Sequence, residues 1–148
     1  MATEYRHFFL DTNVVLAIIR GKELADYIDR HYSIRANLFR PLISVVTLGE
    51  LYTLARRRQW GEKKLQHLDL IEQELVVVDI NRRDILQAYA EVCCAVPGKA
   101  IGKNDLWIAA TTKVTGTTLL TTDKDFLPLS PGQIKLEWID QNLAKSAQ

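Results

Sequence analysis

Asp11, Glu50, Asp105 and Asp123 are carboxylates set among residues that a fold ordinarily buries. Asp11 interrupts Phe8-Phe9-Leu10-Asp11-Thr12-Asn13-Val14-Val15-Leu16, and a charge there is costly unless it is paired, hydrogen-bonded or bound to metal. Glu50 lies in the largely apolar SVVTLGELYTLA, Asp105 precedes Leu106-Trp107-Ile108-Ala109-Ala110, and Asp123 stands in Thr121-Thr122-Asp123-Lys124-Asp125-Phe126. Held together, such anions raise one another's pKa unless cations neutralise them. Hard divalent ions do this well: Mg²⁺ or Mn²⁺ takes carboxylate oxygen and keeps waters for chemistry. Thr12 and Asn13 can then hydrogen-bond the ligands as a supporting shell. Each acid also has an ordinary role. Asp105 suits a helix N-terminus, Glu50 can be a solvated side chain, and Asp123 and Asp125 are turn formers. Asp79, which follows Val76-Val77-Val78, shows that a carboxylate after a strand is not diagnostic and is read as a loop residue. The joint placement, more than any single acid, points to a metal-assisted site.

The elements that must bring these acids together alternate along the chain. Short runs rich in β-branched and aromatic residues predict strands at His7–Leu10, Leu42–Ser44, Leu75–Val78, Thr118–Thr121 and Lys135–Ile139. Helical periodicity predicts helices at Val14–Ile19, Glu23–His31, Val46–Arg58, Glu62–Glu74, Arg82–Ala95 and Asp105–Val114. Asn81 and Asn104 are the expected N-caps of the last two. Strands alternating with helices predict an α/β fold around a mostly parallel sheet, whose ligands bind beyond the carboxyl ends of the strands. Asp11 and Asp123 end strands there. Glu50 and Asp105 reach the same edge if the connecting helices pack back with the usual right-handed crossover.

At 148 residues the chain is the size of one domain, expected over 1–148 with a fraying polar tail from Asn142 to Gln148. The apolar run Val14–Ile19 stops at Arg20, far short of a membrane span. The N-terminus lacks the basic-then-apolar pattern of a secretory signal, so a cytoplasmic protein is expected. Cys93 and Cys94 are adjacent, without a second Cys or His at ligand spacing, and are read as reduced, mostly buried small hydrophobes. His7, His31 and His67 form no ligand pair. Gly98-Lys99-Ala100-Ile101-Gly102-Lys103-Asn104 is not a phosphate-binding P-loop, being one residue short between the glycines and lacking the Ser/Thr.

A net charge of +1 leaves any nucleic-acid affinity to local patches. Arg56-Arg57-Arg58, with Trp60, Lys63 and Lys64, is the strongest, and Lys99 and Lys103 lie on the approach to Asp105. Arg56, Arg57, Lys99 and Lys103 are therefore the candidate phosphate contacts. Arginines at a helix C-terminus also simply complement its dipole.

These residues resemble the PIN-domain family, particularly the VapC-type toxins of toxin–antitoxin pairs. The likeness runs through Leu10-Asp11-Thr12-Asn13, Ser44 to Leu51, Asn104 to Ala110 and Leu119 to Phe126, from about Phe8 to Leu129. It implies an α/β/α sandwich and an endoribonuclease using Mg²⁺ or Mn²⁺, hydrolysing RNA to 5′-phosphate and 3′-hydroxyl ends. Asp11, Glu50, Asp105 and Asp123 would be both catalytic and metal-binding, with Thr12, Asn13, Thr121 or Thr122 in support and Asp125 in reserve. Structured substrates such as tRNA or rRNA, a cognate antitoxin and a homodimer are further implications. The stretch between Asp29 and Pro41 is longer than in compact toxins. A phosphatase of the haloacid-dehalogenase type also opens on an Asp after a strand, but its pattern calls for a second Asp where Asn13 stands. A PIN-like module that binds RNA or protein without cutting stays open as the alternative.

Overall fold

Five short apolar runs pair into one sheet in the computed structural model, which describes residues 6–34, 40–96 and 101–142. They are β1 (Phe8–Leu10), β2 (Leu42–Ser44), β3 (Val76–Val78), β4 (Thr118–Thr121) and β5 (Lys135–Trp138). The order is β3-β2-β1-β4-β5 and every pairing is parallel. Around them run α1 (Thr12–Arg20), α2 (Glu23–Tyr32), α3 (Val45–Arg57), α4 (Glu62–Glu74), α5 (Arg83–Ala95) and α6 (Lys103–Thr115), with a 3₁₀ helix at Lys124–Leu129. The α/β expectation holds, and the sheet is wholly parallel.

Alternation along the strands sorts side chains onto two faces. Phe8, Leu10, Ile43 and Leu120 join Val14, Val15, Leu51 and Leu68 in one core; Phe9, Leu42 and Leu119 join Ile85, Val92, Ile108 and Phe126 in the other. Each such side chain, fully buried, contributes about 1.5–3 kcal/mol. The two cores on either side of one sheet make the α/β/α sandwich.

Strand order decides where a ligand can sit. From β1 the chain moves outward through β2 to β3, then returns across β1 to place β4 and β5 on its other side. This reversal opens a crevice at the carboxyl ends of β1 and β4. Leu10 pairs with Leu120, and the Asp11 N–H donates to the Leu120 carbonyl at 3.0 Å, so Asp11 falls beside Thr121.

Several element ends differ from expectation, each for a local reason. Helix α1 starts at Thr12 because Asp11 caps it, and Ser44 caps α3 by accepting from the Val46 N–H. Helix α6 starts at Lys103 with Gly102 as its cap residue, which puts Asn104 inside the first turn. Arg82, not Asn81, precedes α5; the Asn81 N–H instead donates to Asp79 at 3.1 Å and closes a turn, in keeping with the loop reading of Asp79. Strand β5 ends at Trp138, one residue before Ile139. Both cysteines are free, but Cys94 is exposed and Cys93 half-buried, contrary to the expected burial. The face of α5 turned inward is Ile85, Ala88 and Val92, and Cys94 lies about 200° around the helix from Val92. Among the described residues no helix is long and apolar enough to cross a membrane. Residues 143–148 of the expected tail, Lys99 and residues 35–39 of the Asp29–Pro41 stretch lie outside the described residues.

Candidate active site

Asp11 is built into the start of α1. Its backbone is extended, one carboxylate oxygen accepts the Thr12 N–H at 2.7 Å, and the other accepts the Thr121 hydroxyl at 2.7 Å. Only 2% of the residue is exposed. With two partners and little water, Asp11 remains hard to ionise: burial first, then the charges of Asp123 and Glu50, raise its pKa to about 6 against the two hydrogen bonds.

Two hydroxyl relays fix the neighbours. Thr12 Oγ1 donates to Glu50 Oε1 at 2.7 Å and lies 3.0 Å from Thr47 Oγ1. Since the single Thr12 proton goes to the carboxylate, Thr47 is the donor of that second bond. Thr47 sits one turn before Glu50 on α3 and is fully buried, so it anchors the face that carries the acid. In the second relay the Asp123 N–H donates to Thr121 Oγ1 at 2.9 Å, and Thr121 donates onward to Asp11. Asp123 in turn caps the 3₁₀ helix by accepting the Asp125 N–H at 2.9 Å.

Asp105 lies in the first turn of α6, half-buried. Burial and then the charges of Asp11, Asp123, Glu50 and Asp125 lift its carboxyl to about 7. Every charge acting on it is another carboxylate. The four predicted acids and the reserve Asp125 therefore share one neighbourhood, and no Lys or Arg among the described residues offsets them at Asp11 or Asp105. Asn13 is exposed in the first turn of α1, while the Thr122 hydroxyl is buried with no partner. Among the described residues no three acid, imidazole or thiol groups are drawn tightly enough to enclose an ion as they stand. The donors nevertheless suit one: all are oxygen, Asp11, Glu50 and Asp123 sit on capped or relayed positions, and the mutual repulsion of the four is what a divalent cation would relieve.

The basic candidates are less tightly drawn in. Lys103 is exposed two residues before Asp105. Arg57 comes seven residues after Glu50, on the same face of α3 and about 10 Å further along it, whereas Arg56 points about 120° away from Glu50. Trp60, counted with the basic cluster from sequence, is a core residue at 9% exposure with the Lys64 ammonium 5.6 Å from its ring centre. His67 donates to the Ile19 carbonyl at 3.1 Å, His7 to that of Arg40 at 3.1 Å, and His31 stacks on Tyr27. A cavity of about 670 Å³ lies between α1, α2 and α4, bordered by Ile18, Ile28, His67 and Leu70, and none of the acids lines it. The acids lie instead at the carboxyl edge of the sheet, beyond β1 and β4.

Comparison with known proteins settles the family. The PIN domain pattern matches residues 8–129, most of the chain. The chain belongs to the PIN-domain family. Ribonuclease VapC2 of Haemophilus influenzae is 25% identical over 115 residues, covering 77% of this chain and 84% of that protein. Among solved structures, the PIN domain resembles VapBC2 from Rickettsia felis bound to a promoter DNA fragment, with a TM-score of 0.72 and 23% identity over 90% of this chain and 98% of that one. It also resembles VapBC-1 from nontypeable Haemophilus influenzae, with a TM-score of 0.72 and 22% identity over 88% and 96%. The sequence motifs that suggest the family are those that carry the acids. Thr47 is not among the expected site residues; its signals are its place within the Ser44 to Leu51 motif and its position three residues before Glu50.

Proposed function

We propose that this PIN domain is a metal-dependent endoribonuclease that hydrolyses RNA phosphodiester bonds as the toxin of a toxin–antitoxin pair. The observation that carries the reading is the linking of Glu50, Asp11 and Asp123 through the Thr12 and Thr121 hydroxyls at the carboxyl edge of the sheet, with half-buried Asp105 in the field of all three. Asp11, Glu50, Asp105 and Asp123 would hold Mg²⁺ or Mn²⁺. A divalent ion bound there supplies polarisation of the scissile phosphate and a lowered pKa for the attacking water. The chain's own part is positional. The Thr121 and Thr12 bonds fix both oxygens of Asp11, and the Thr47–Thr12 relay fixes one oxygen of Glu50. Glu50 keeps its other oxygen to orient water, and half-exposed Asp123 reaches the same space. Thr122, next in sequence to Asp123, and Asn13, close in sequence to Asp11, would serve as further supporting polar groups. Lys103, with Arg57, Arg56 and Lys99 as further contacts, would hold the RNA backbone against an otherwise acidic cleft.

A cognate antitoxin, a homodimer and residence in the cytoplasm belong to the same reading. The structural relatives named for VapBC support the first of these. Exposed Tyr52, Leu86, Val76 and Val77 supply apolar surface for self-association.

The test is cleavage of total cellular RNA by purified protein with Mg²⁺ or Mn²⁺, beside an EDTA control and Asp11→Asn. Asn is as good an N-cap as Asp, so the variant should keep α1 while losing the charge. Discrete fragments should appear with metal, vanish in EDTA and fall at least about 100-fold in the variant. Fragments that persist in EDTA and in Asp11→Asn would overturn the proposal; RNA held but never cut would favour the non-catalytic module.

A further inference from the structure

Trp138 is an aromatic residue without a core. It ends β5, half-buried, and among the described residues it joins neither hydrophobic cluster, although Leu136 on the same strand face packs into the second. Two contacts hold it. The indole Nε1–H donates to the Thr122 carbonyl at 3.1 Å, and the Lys124 ammonium stands 4.9 Å from the ring centre. Both partners flank Asp123.

Register places this indole relative to the acids. Thr121 pairs with Trp138 across β4 and β5, and Leu10 pairs with Leu120 across β1 and β4. Asp11, Thr121 and Trp138 therefore lie in one row along the carboxyl edge of the sheet. With strands about 4.8 Å apart, Trp138 is roughly 10 Å from Asp11, beside the acids but not among them. A clamped, partly exposed indole with an exposed ammonium beside it has the two features that bind single-stranded nucleic acid. The ammonium lies over one face of the ring, so a base would take the opposite face while the cation meets a phosphate.

We propose that Trp138 and Lys124 form a stacking platform for a nucleobase flanking the cleaved bond, so that this edge of the cleft grips single-stranded RNA. The proposal rests on the ribonuclease reading for its substrate, and its test separates the two. The probe is a mixed-sequence single-stranded RNA of about 12 nucleotides, titrated into protein in EDTA and followed by intrinsic tryptophan fluorescence. Trp60 is in the core and Trp107 is stacked on Tyr89, so a base stacking at this edge should quench Trp138. Wild type should be quenched and Trp138→Phe should not. Trp138→Ala should weaken binding about tenfold or more, and Lys124→Ala less. In metal-dependent cleavage the same two variants should act mainly on KM, because the platform would grip RNA while the four acids themselves are unchanged.

Equal quenching in Trp138→Phe, or unchanged RNA affinity in both Trp138→Ala and Lys124→Ala, overturns the platform. So does a fall in kcat with KM constant, which would mark a structural role. If Trp138→Ala fails to fold, Trp138→Phe and the exposed Lys124→Ala decide the matter. A wild type that cuts RNA while the variants behave identically removes the platform and leaves the nuclease. A wild type that is quenched yet cuts nothing with either metal does the reverse.

Discussion

Burial and neighbouring carboxylates lift Asp105 to about 7, and burial above all lifts Asp11 to about 6, where the unperturbed value is 3.8. The unfolded chain has no such neighbourhood. Between about pH 4 and 7 the native state therefore holds more protons than the unfolded state, and stability from these groups is lost as pH rises through the native pKa values. In EDTA, Asp105→Asn should melt higher than wild type at about pH 8, and the gap should narrow toward about pH 5, where native Asp105 is already protonated. Mg²⁺ should raise the wild-type Tm at the higher pH and do little at the lower. Thermal denaturation across pH checks this; a gap that does not change with pH would mean that the acids do not share one field. At this scale the sequence was informative about charge and about the Thr12 and Thr121 hydroxyls, and silent about Thr47. A carboxylate amid Phe8, Leu10 and Val14 announces itself, whereas Thr47 reads as any threonine in a helix until α3 is docked beside α1.

Caps decide how the helices present these residues, and caps were only partly legible. Strands β2 and β4 match their expected bounds, since short apolar runs ended by polar Ser44 and Thr121 leave little freedom. Asn81 and Asn104 are favourable cap types that the fold left uncapping, because the choice between adjacent candidates depends on where each helix meets the sheet. The 3₁₀ helix around Pro128 has no periodic signal to read. Ser44 links a cap to the site. Its hydroxyl accepts the Val46 N–H at 3.0 Å at the head of the helix that carries Thr47 and Glu50. Ser44→Ala should lower stability by about 1 kcal/mol and also slow RNA cleavage, by loosening the first turns of α3. Denaturant melts and cleavage rates on one preparation test this; a loss of stability with unaltered cleavage would show that Glu50 is held by its hydroxyl partner alone.

With a net charge of +1, the whole molecule has little long-range pull on RNA, and affinity must come from a few placed cations. Each phosphate contact to a single strand contributes about 0.7 to the slope of log affinity against log salt. Lys103→Gln and Arg57→Gln should each lower that slope by about this amount in EDTA, while Lys22→Gln, beyond the far end of α1 from Asp11, should leave it alone. Salt titrations of RNA binding measure it, and equal slopes for all three variants would move the RNA path elsewhere.

The sheet order also governs when the site can exist. The Thr121 hydroxyl that grips Asp11 is 110 residues downstream of it, and β1 has β4 as one of its two strand neighbours. On a ribosome, where the chain emerges N-terminus first, Asp11 waits through most of synthesis without that partner, and Asp105 and Asp123 arrive late. An incomplete nascent chain thus carries no assembled acid site until the fold is nearly whole.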